Sequence, residues 1–350
     1  MPRPEDMSPI TGTEHYARAM HLIDVVRARR RILPYVRRTG LVHSAWLSDL
    51  AGARVSLKLE SQQVSNSFKV RGAFNALIAR QERGAALRHA VTASAGNHGH
   101  ALALAAETFH LPLVVFTPVD ASWSKLDAIR RHGAELRAEG RDYDDAERLA
   151  HVFAEETGAE FVSPYNDADV IAGAGTIAIE ILEEAPDTDT IVVPIGGGGL
   201  ISGIAVAAKS IAPRLNVIGV EVEASCAFQT GLRAGQLVPI VPGPTLADGL
   251  SGNPDPDTIT FGFIQQYVDR IVTVDESDLA NAITGLIHAD HLVAEGAGAA
   301  AVASIVGARV ELPGRRIAII VSGANIDRKR LEWLLARAST EAGTSAPINP

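Results

Sequence analysis

Four consecutive glycines, Gly196, Gly197, Gly198 and Gly199, follow a fully apolar run at 191–195 and lead into a helical pattern over 200–211. A short apolar run that ends in glycine and restarts as a helix reads as a buried parallel strand with its crossover helix. Glycines let the backbone curl until several N–H groups point at one spot, and the helix start adds its positive dipole end. A tight turn alone rarely needs four glycines, so a phosphate cup is the favoured reading. The dinucleotide template G-x-G-x-x-G fails here, because one required position falls on Ile201, Ser202 or Leu200. The Gly-Lys-Ser/Thr ending of a P-loop is also missing. A compact phosphate monoester fits better than a nucleotide.

The same alternation recurs along the chain. Strands are expected over 55–59, 90–93, 113–117, 134–136, 191–195, 217–222, 271–274 and 317–321. Helices are expected over 20–31, 69–81, 97–109, 122–132, 142–157, 168–184, 200–211, 276–289, 296–306 and 327–338. This is the β-α-β rhythm of parallel sheets, so the fold class is α/β. The chain has 350 residues, enough for two such units, and a cleft between them is a natural ligand site. Residues 1–19 read as a loose arm, 241–256 as a long ordered loop and 341–350 as a flexible tail. No internal repeat is visible.

Composition narrows the partners. The net charge of −9 argues against nucleic acid or an anionic membrane as the main partner. The arginines at 27–31 read as a solvated helix face. A single cysteine, Cys226, excludes an intrachain disulfide and a multi-cysteine metal site, and fits a reducing cytoplasm. No apolar run reaches the length of a membrane span, and the N-terminus lacks a signal-peptide core.

Three further stretches carry chemistry. Lys69 lies in Ser65-Asn66-Ser67-Phe68-Lys69-Val70-Arg71-Gly72 and opens the helix expected over 69–81. That helix reads as amphipathic, with Val70, Ala73, Phe74, Leu77 and Ile78 on one stripe. A lysine in a first helical turn meets the positive dipole end, which disfavours the ammonium and favours a carbonyl-reactive amine. Alone, a lysine beside an aromatic is more often a surface residue with a packed stem. Ser94-Ala95-Gly96-Asn97-His98-Gly99 follows the strand at 90–93 and offers donors for a carboxylate, although an ordinary capped helix would look similar. His98 is assigned no proton-transfer role. Ser322-Gly323-Ala324-Asn325 follows the strand at 317–321, at a carboxyl end where sheet ligands sit. Its hydroxyl could meet a ring nitrogen, and a helix cap reads equally well. A lysine, a monophosphate cup, a carboxylate loop and a strand-end serine together point to pyridoxal 5′-phosphate (PLP) and an amino-acid substrate.

On these motifs the chain resembles the fold-type II PLP enzymes, the tryptophan synthase β-like fold, and within them the serine/threonine dehydratase and serine racemase branch. The resemblance runs from about residue 31 to 335. It includes Ala172-Gly173-Ala174-Gly175-Thr176, Thr245-Leu246-Ala247-Asp248-Gly249 and Glu295-Gly296-Ala297-Gly298. It implies two α/β domains with the cofactor between them: a discontinuous large PLP-binding domain at 1–80 and 165–340, and a small one at 81–164. Lys69 would hold PLP as an imine and take the Cα proton. Phe68 would pack on the cofactor ring, Asn97 would bond its 3-hydroxyl, and Ser322 would face its nitrogen. Glu295 would lie near the ring. Gly196, Gly197, Gly198, Gly199 and Leu200 would bind the phosphate. Ser94, Ala95, Gly96, Asn97 and His98 would hold the substrate carboxylate.

The departures matter too. Ala95 stands where serine racemases carry an acid/base serine, which implies elimination rather than racemisation. Asn66, Ala174 and Ala324 replace a usual glycine, glutamine and glycine. Ala227 stands six positions beyond Glu221, where many relatives have an acidic cation ligand, so no metal is expected. The implied activity is dehydration and deamination of a 3-hydroxy amino acid, by default L-threonine or L-serine, to a 2-oxo acid and ammonia. The alternatives are 3-hydroxyaspartate or a hydroxyectoine-derived substrate, β-replacement, or a silent PLP-binding protein. A cytoplasmic homodimer or homotetramer is implied.

Overall fold

The short apolar runs pair into two sheets. The computed structural model describes residues 20–84, 87–121 and 123–342. The strands are β1 (Leu41–His43), β2 (Arg54–Lys58), β3 (Ala90–Ala93), β4 (Leu113–Pro118), β5 (Glu135–Gly140), β6 (Glu160–Phe161), β7 (Thr190–Pro194), β8 (Asn216–Val222), β9 (Arg270–Val274) and β10 (Arg316–Ile320). One sheet has the order β1-β2-β10-β7-β8-β9, and the other β5-β4-β3-β6. All pairs are parallel except β1 with β2.

Central β7 is buried at every position, as a β-branched strand covered on both faces should be. Helices Leu22–Ile32, Ala168–Glu184, Gly199–Ile211 and Ile259–Tyr267 cover one face of the larger sheet. Ala45–Ala51, Glu276–Ala289, Gly296–Val306 and Arg328–Ala342 cover the other. The smaller sheet packs between Asn97–Thr108 on one side and Tyr143–Thr157 on the other. Among the described residues no helix is long and apolar enough to cross a membrane.

The helix Lys69–Glu82 differs from its expected amphipathic form. It is buried on nearly all sides, and Ile78 is one of its less buried residues. It lies against Asn97–Thr108 and crosses Ala168–Glu184 so closely that a Cβ at Gly173 would come within 2.7 Å of Gly72 Cα. Its polar residues stay inside because they are paired. Arg71 bonds Glu60 through Nε and Nη2, both at 2.8 Å, and Glu180 at 2.6 and 2.9 Å. Lys58 donates to Glu180 at 2.6 Å and to Thr39 O at 2.7 Å, and Thr39 donates to Glu60 at 2.5 Å. Burial opposes ionisation of Glu180, yet the hydrogen bonds and charges of Arg71 and Lys58 hold its carboxyl below the ordinary value.

Other differences have local causes. β1, β6 and the helices Ala45–Ala51, Ala227–Ala234 and Ile259–Tyr267 were not expected, being too short to show a period. β5 extends to six residues; it is a half-exposed edge strand and so lacks an apolar signal. The 241–256 loop holds one short turn of helix, Asp248–Leu250. Residues 341 and 342 belong to the last helix rather than to a tail. The expected arm at 1–19, Ser122 and the tail from 343 lie outside the described residues.

Among the described residues, replacing Glu180 with alanine leaves buried Lys58 with no carboxylate partner and Arg71 with Glu60 alone. Urea unfolding should show a loss of roughly 3–5 kcal/mol. A loss under about 1 kcal/mol would mean that the network carries little of the fold.

Candidate active site

A cavity of about 690 Å³ opens at the carboxyl ends of β3, β4, β7 and β10, between the two sheets. Ligands in open α/β sheets bind at such ends. Lys69, Ser94, Asn97, Gly197 and Ser322, which lie far apart in the sequence, all line it.

The strand end of β10 locates the lysine. Ser67 pairs with Gly323 as an isolated antiparallel bridge, and Phe68 N donates to Ser322 O at 3.0 Å. Phe68 is the N-cap, so Lys69 is the first helical residue. Its Nζ donates to Pro164 O at 2.7 Å and sits 5.2 Å from the Phe68 ring centroid. Loss of solvent around Nζ lowers its pKa to about 8, the direction that a helix start also favours.

The glycine run forms the floor. Gly198 has φ +85, and the helix begins at Gly199. The neighbours leave no room for side chains here. A Cβ at Gly197 would overlap the Tyr165 ring, and one at Gly198 would lie 2.9 Å from Phe228 and Thr260. Thr260 Oγ1 also donates to Gly197 O at 2.9 Å. Among the described residues, the N–H groups of 196–200 have no protein acceptor.

Asn97, Glu295 and Asn325 lock together beside Lys69. Asn97 Nδ2 donates to Glu295 Oε1 at 2.5 Å, and Asn97 Oδ1 accepts from Asn325 Nδ2 at 2.7 Å. An amide nitrogen carries two hydrogens, so one remains for a ligand. A side chain at Gly323 would overlap the Glu295 carboxylate. Ser322 Oγ donates to Ala297 O at 3.3 Å. His98 Nε2 faces Val162 O at 3.1 Å, so it carries the proton. Burial, then the charge of Lys69, lowers its pKa to about 3, so His98 is neutral at physiological pH. Glu221 accepts from Phe228 N at 2.9 Å and Gln229 N at 2.7 Å, capping the helix Ala227–Ala234. Burial raises its pKa to about 7, although those two bonds act to lower it. Among the described residues, no group of three His, Cys, Asp or Glu side chains is placed to hold a metal ion.

The profile of the pyridoxal-phosphate dependent enzyme family matches residues 32–323. The chain belongs to this family, and its cofactor is PLP. It is 41% identical over 324 residues to an L-threonine ammonia-lyase of Thermotoga maritima, covering 92% of this chain and 80% of that one. It is 36% identical over 315 residues to the L-threo-3-hydroxyaspartate ammonia-lyase of Saccharomyces cerevisiae, covering 89% and 95%. The maize serine racemase structure superposes with a TM-score of 0.85 at 30% identity, covering 93% of this chain and 99% of that one.

The residues present fit PLP. A desolvated amine suits an imine with an aldehyde, and unpaired N–H donors at a helix start suit a phosphate. All the expected site residues lie around this cavity, and Ser94, Ala95, Gly96, Asn97, His98, Leu200 and Glu295 join those named above on its wall. Sequence reasoning missed Pro164, Tyr165 and Asn325. Asn325 stood in a noted motif but had no assigned role, and Pro164-Tyr165 sits in a connecting segment with no period to read.

The burial of Lys69 has a stability signature. Between about pH 8 and 10.5 the unfolded chain keeps this proton while the folded chain has released it, so stability rises with pH across that window. Lys69→Met should therefore stabilise the cofactor-free protein at pH 7 by at most about 3 kcal/mol. The gain should shrink toward pH 10.5 in urea titrations. A pH-independent difference would place the amine in solvent.

Proposed function

We propose that the protein is a PLP-dependent ammonia-lyase that converts a 3-hydroxy amino acid, L-threonine or L-serine by default, to a 2-oxo acid and ammonia. The observation that carries this reading is the desolvated Lys69 amine in one cavity with the glycine run and the 94–98 helix start. The ammonia-lyase names of relatives at 36–41% identity support it.

Bound PLP supplies the electron sink that makes a Cα proton removable. Lys69, with a pKa of about 8, has a usable neutral fraction near neutral pH and takes that proton. The N–H groups opening the helix Asn97–Thr108, with Ser94, hold the substrate carboxylate. The N–H groups of 196–200 would hold the phosphate, Phe68 would pack against the ring, and Asn97 would bond its 3-hydroxyl beside Glu295. Ser322 would face the ring nitrogen with a neutral hydroxyl, which cannot hold a proton there as a carboxylate would, and this would favour departure of a β-group over transamination. Ala95 carries no acid/base group at the position where the resemblance implies a serine in serine racemases, and His98 is neutral, which supports elimination over racemisation.

Charge around the cavity bears on the side chain of the substrate. Among its described lining residues Lys69 is the one Lys or Arg, while Asp120, Asp248, Glu295 and Asp327 are acidic. Among the described lining residues a second substrate carboxylate would meet no Lys or Arg besides Lys69, which supports threonine or serine as the default substrate over 3-hydroxyaspartate. The proposed division is a large domain at 1–80 and 165–340 and a small one at 81–164; among the described residues the grouping of the strands into two sheets supports it. Single Cys226 fits a cytoplasmic setting, and a homodimer or homotetramer is the assembly proposed.

The test is a panel of 3-hydroxy amino acids assayed for 2-oxo acid and ammonia. L-threonine or L-serine should turn over, 3-hydroxyaspartate should be at least about tenfold poorer in kcat/KM, and Lys69→Ala should be inactive. A PLP-loaded protein that turns over no member contradicts the reading. Consumption of an added thiol without ammonia release would select β-replacement.

A further inference from the structure

The segment between β6 and the helix Ala168–Glu184 carries the chain from one sheet to the other, and three of its residues touch separate parts of the site. Pro164 O accepts from Lys69 Nζ at 2.7 Å. Tyr165 is buried with its ring over Gly197: a Cβ there would overlap Cγ and come within 2.5 Å of Cδ1 and 2.7 Å of Cδ2. A Cβ at Gly199 would lie 3.0 Å from Tyr165 Cα. On its other side Tyr165 Oη accepts from Asp255 N at 3.0 Å. Asn166 completes the grip, with Nδ2 donating to Asp255 Oδ2 at 3.0 Å and Oδ1 accepting from Ile259 N at 3.1 Å.

Asp255 ends a loop whose Leu250, Asn253 and Pro254 line the cavity. That loop has little regular structure of its own, one turn at Asp248–Leu250. These bonds therefore fix its far end.

We propose that Tyr165 is a positioning residue that couples the two halves of the site: its ring shapes the glycine run, and its hydroxyl, with Asn166, anchors the loop that walls the substrate side. This rests on reading 196–200 as the phosphate-binding segment. The ring excludes any side chain at 197 and braces the curled backbone, so the N–H groups keep one geometry. The hydroxyl satisfies a loop N–H that would otherwise lose its acceptor.

The two roles separate by substitution, measured on reconstituted holoenzyme. The PLP dissociation constant is read from visible absorbance, and KM and kcat from 2-oxo acid release. Gly197→Ala should weaken PLP binding by about tenfold or more, and the Gly197→Ala/Tyr165→Ala double variant should lose clearly less than the sum of the two single losses, because the two sites are in contact and non-additive. Tyr165→Phe keeps the ring. It should leave PLP affinity within about twofold and raise KM by about fivefold or more with kcat little changed. Additive losses in the double variant, or a Tyr165→Phe enzyme with parental KM, overturn the coupling while leaving the phosphate site standing. A Gly197→Ala protein that binds PLP as tightly as the parent overturns the phosphate reading and the coupling with it.

Discussion

A guanidinium with no water around it decides where the reactive amine can be. Arg71 lies two residues beyond Lys69 and is fully buried against Glu60 and Glu180, with Lys58 completing the charge balance. Lys58 ends β2, Glu60 opens the short helical turn that follows it, and Glu180 lies near the C-terminal end of the helix Ala168–Glu184. Bidentate geometry tolerates little displacement, and an unmatched buried charge costs several kcal/mol. The first turn of Lys69–Glu82 is thus tied to the larger sheet, although the rest of that helix packs toward the smaller one. The close crossing of Gly72 and Gly173 is the steric counterpart of the same restraint.

From that fixed point the site assembles through backbone pairing. Phe68 and Ser67 dock on Ser322 and Gly323 at the end of β10, so the lysine and the strand-end serine keep one relative position. Asn97 brings in the smaller sheet through Glu295 and Asn325. Each contact joins a different strand end, and the cavity is where those ends meet. Loss of solvent around Nζ then does the chemical work, since it makes the amine available near neutral pH.

The parts of this arrangement visible in the sequence are those that depend on backbone requirements. Gly197 and Gly198 face Tyr165, Phe228 and Thr260 so closely that glycine is compulsory, and the run stands out in the sequence. The strand at 190–194 is buried throughout and β-branched from Thr190 to Val193, so its apolar core 191–193 stands out. The amphipathic reading of the Lys69 helix failed because Arg71, Asn75 and Arg80 look solvent-facing, yet are satisfied inside by partners up to about a hundred residues away. Tyr165 and Asn166 were illegible for a related reason. Their partners Gly197, Asp255 and Ile259 lie on other segments, and nothing local marks a residue whose value is its distant contacts.

The central claim is that Lys69 is the residue that binds PLP covalently. The most direct measurement is borohydride reduction of the PLP-loaded protein, followed by digestion and mass spectrometry of the labelled peptide. The account predicts one stable pyridoxyl phosphate adduct, on the peptide carrying Lys69. An adduct on another lysine, or none in a protein that shows bound PLP, would contradict it.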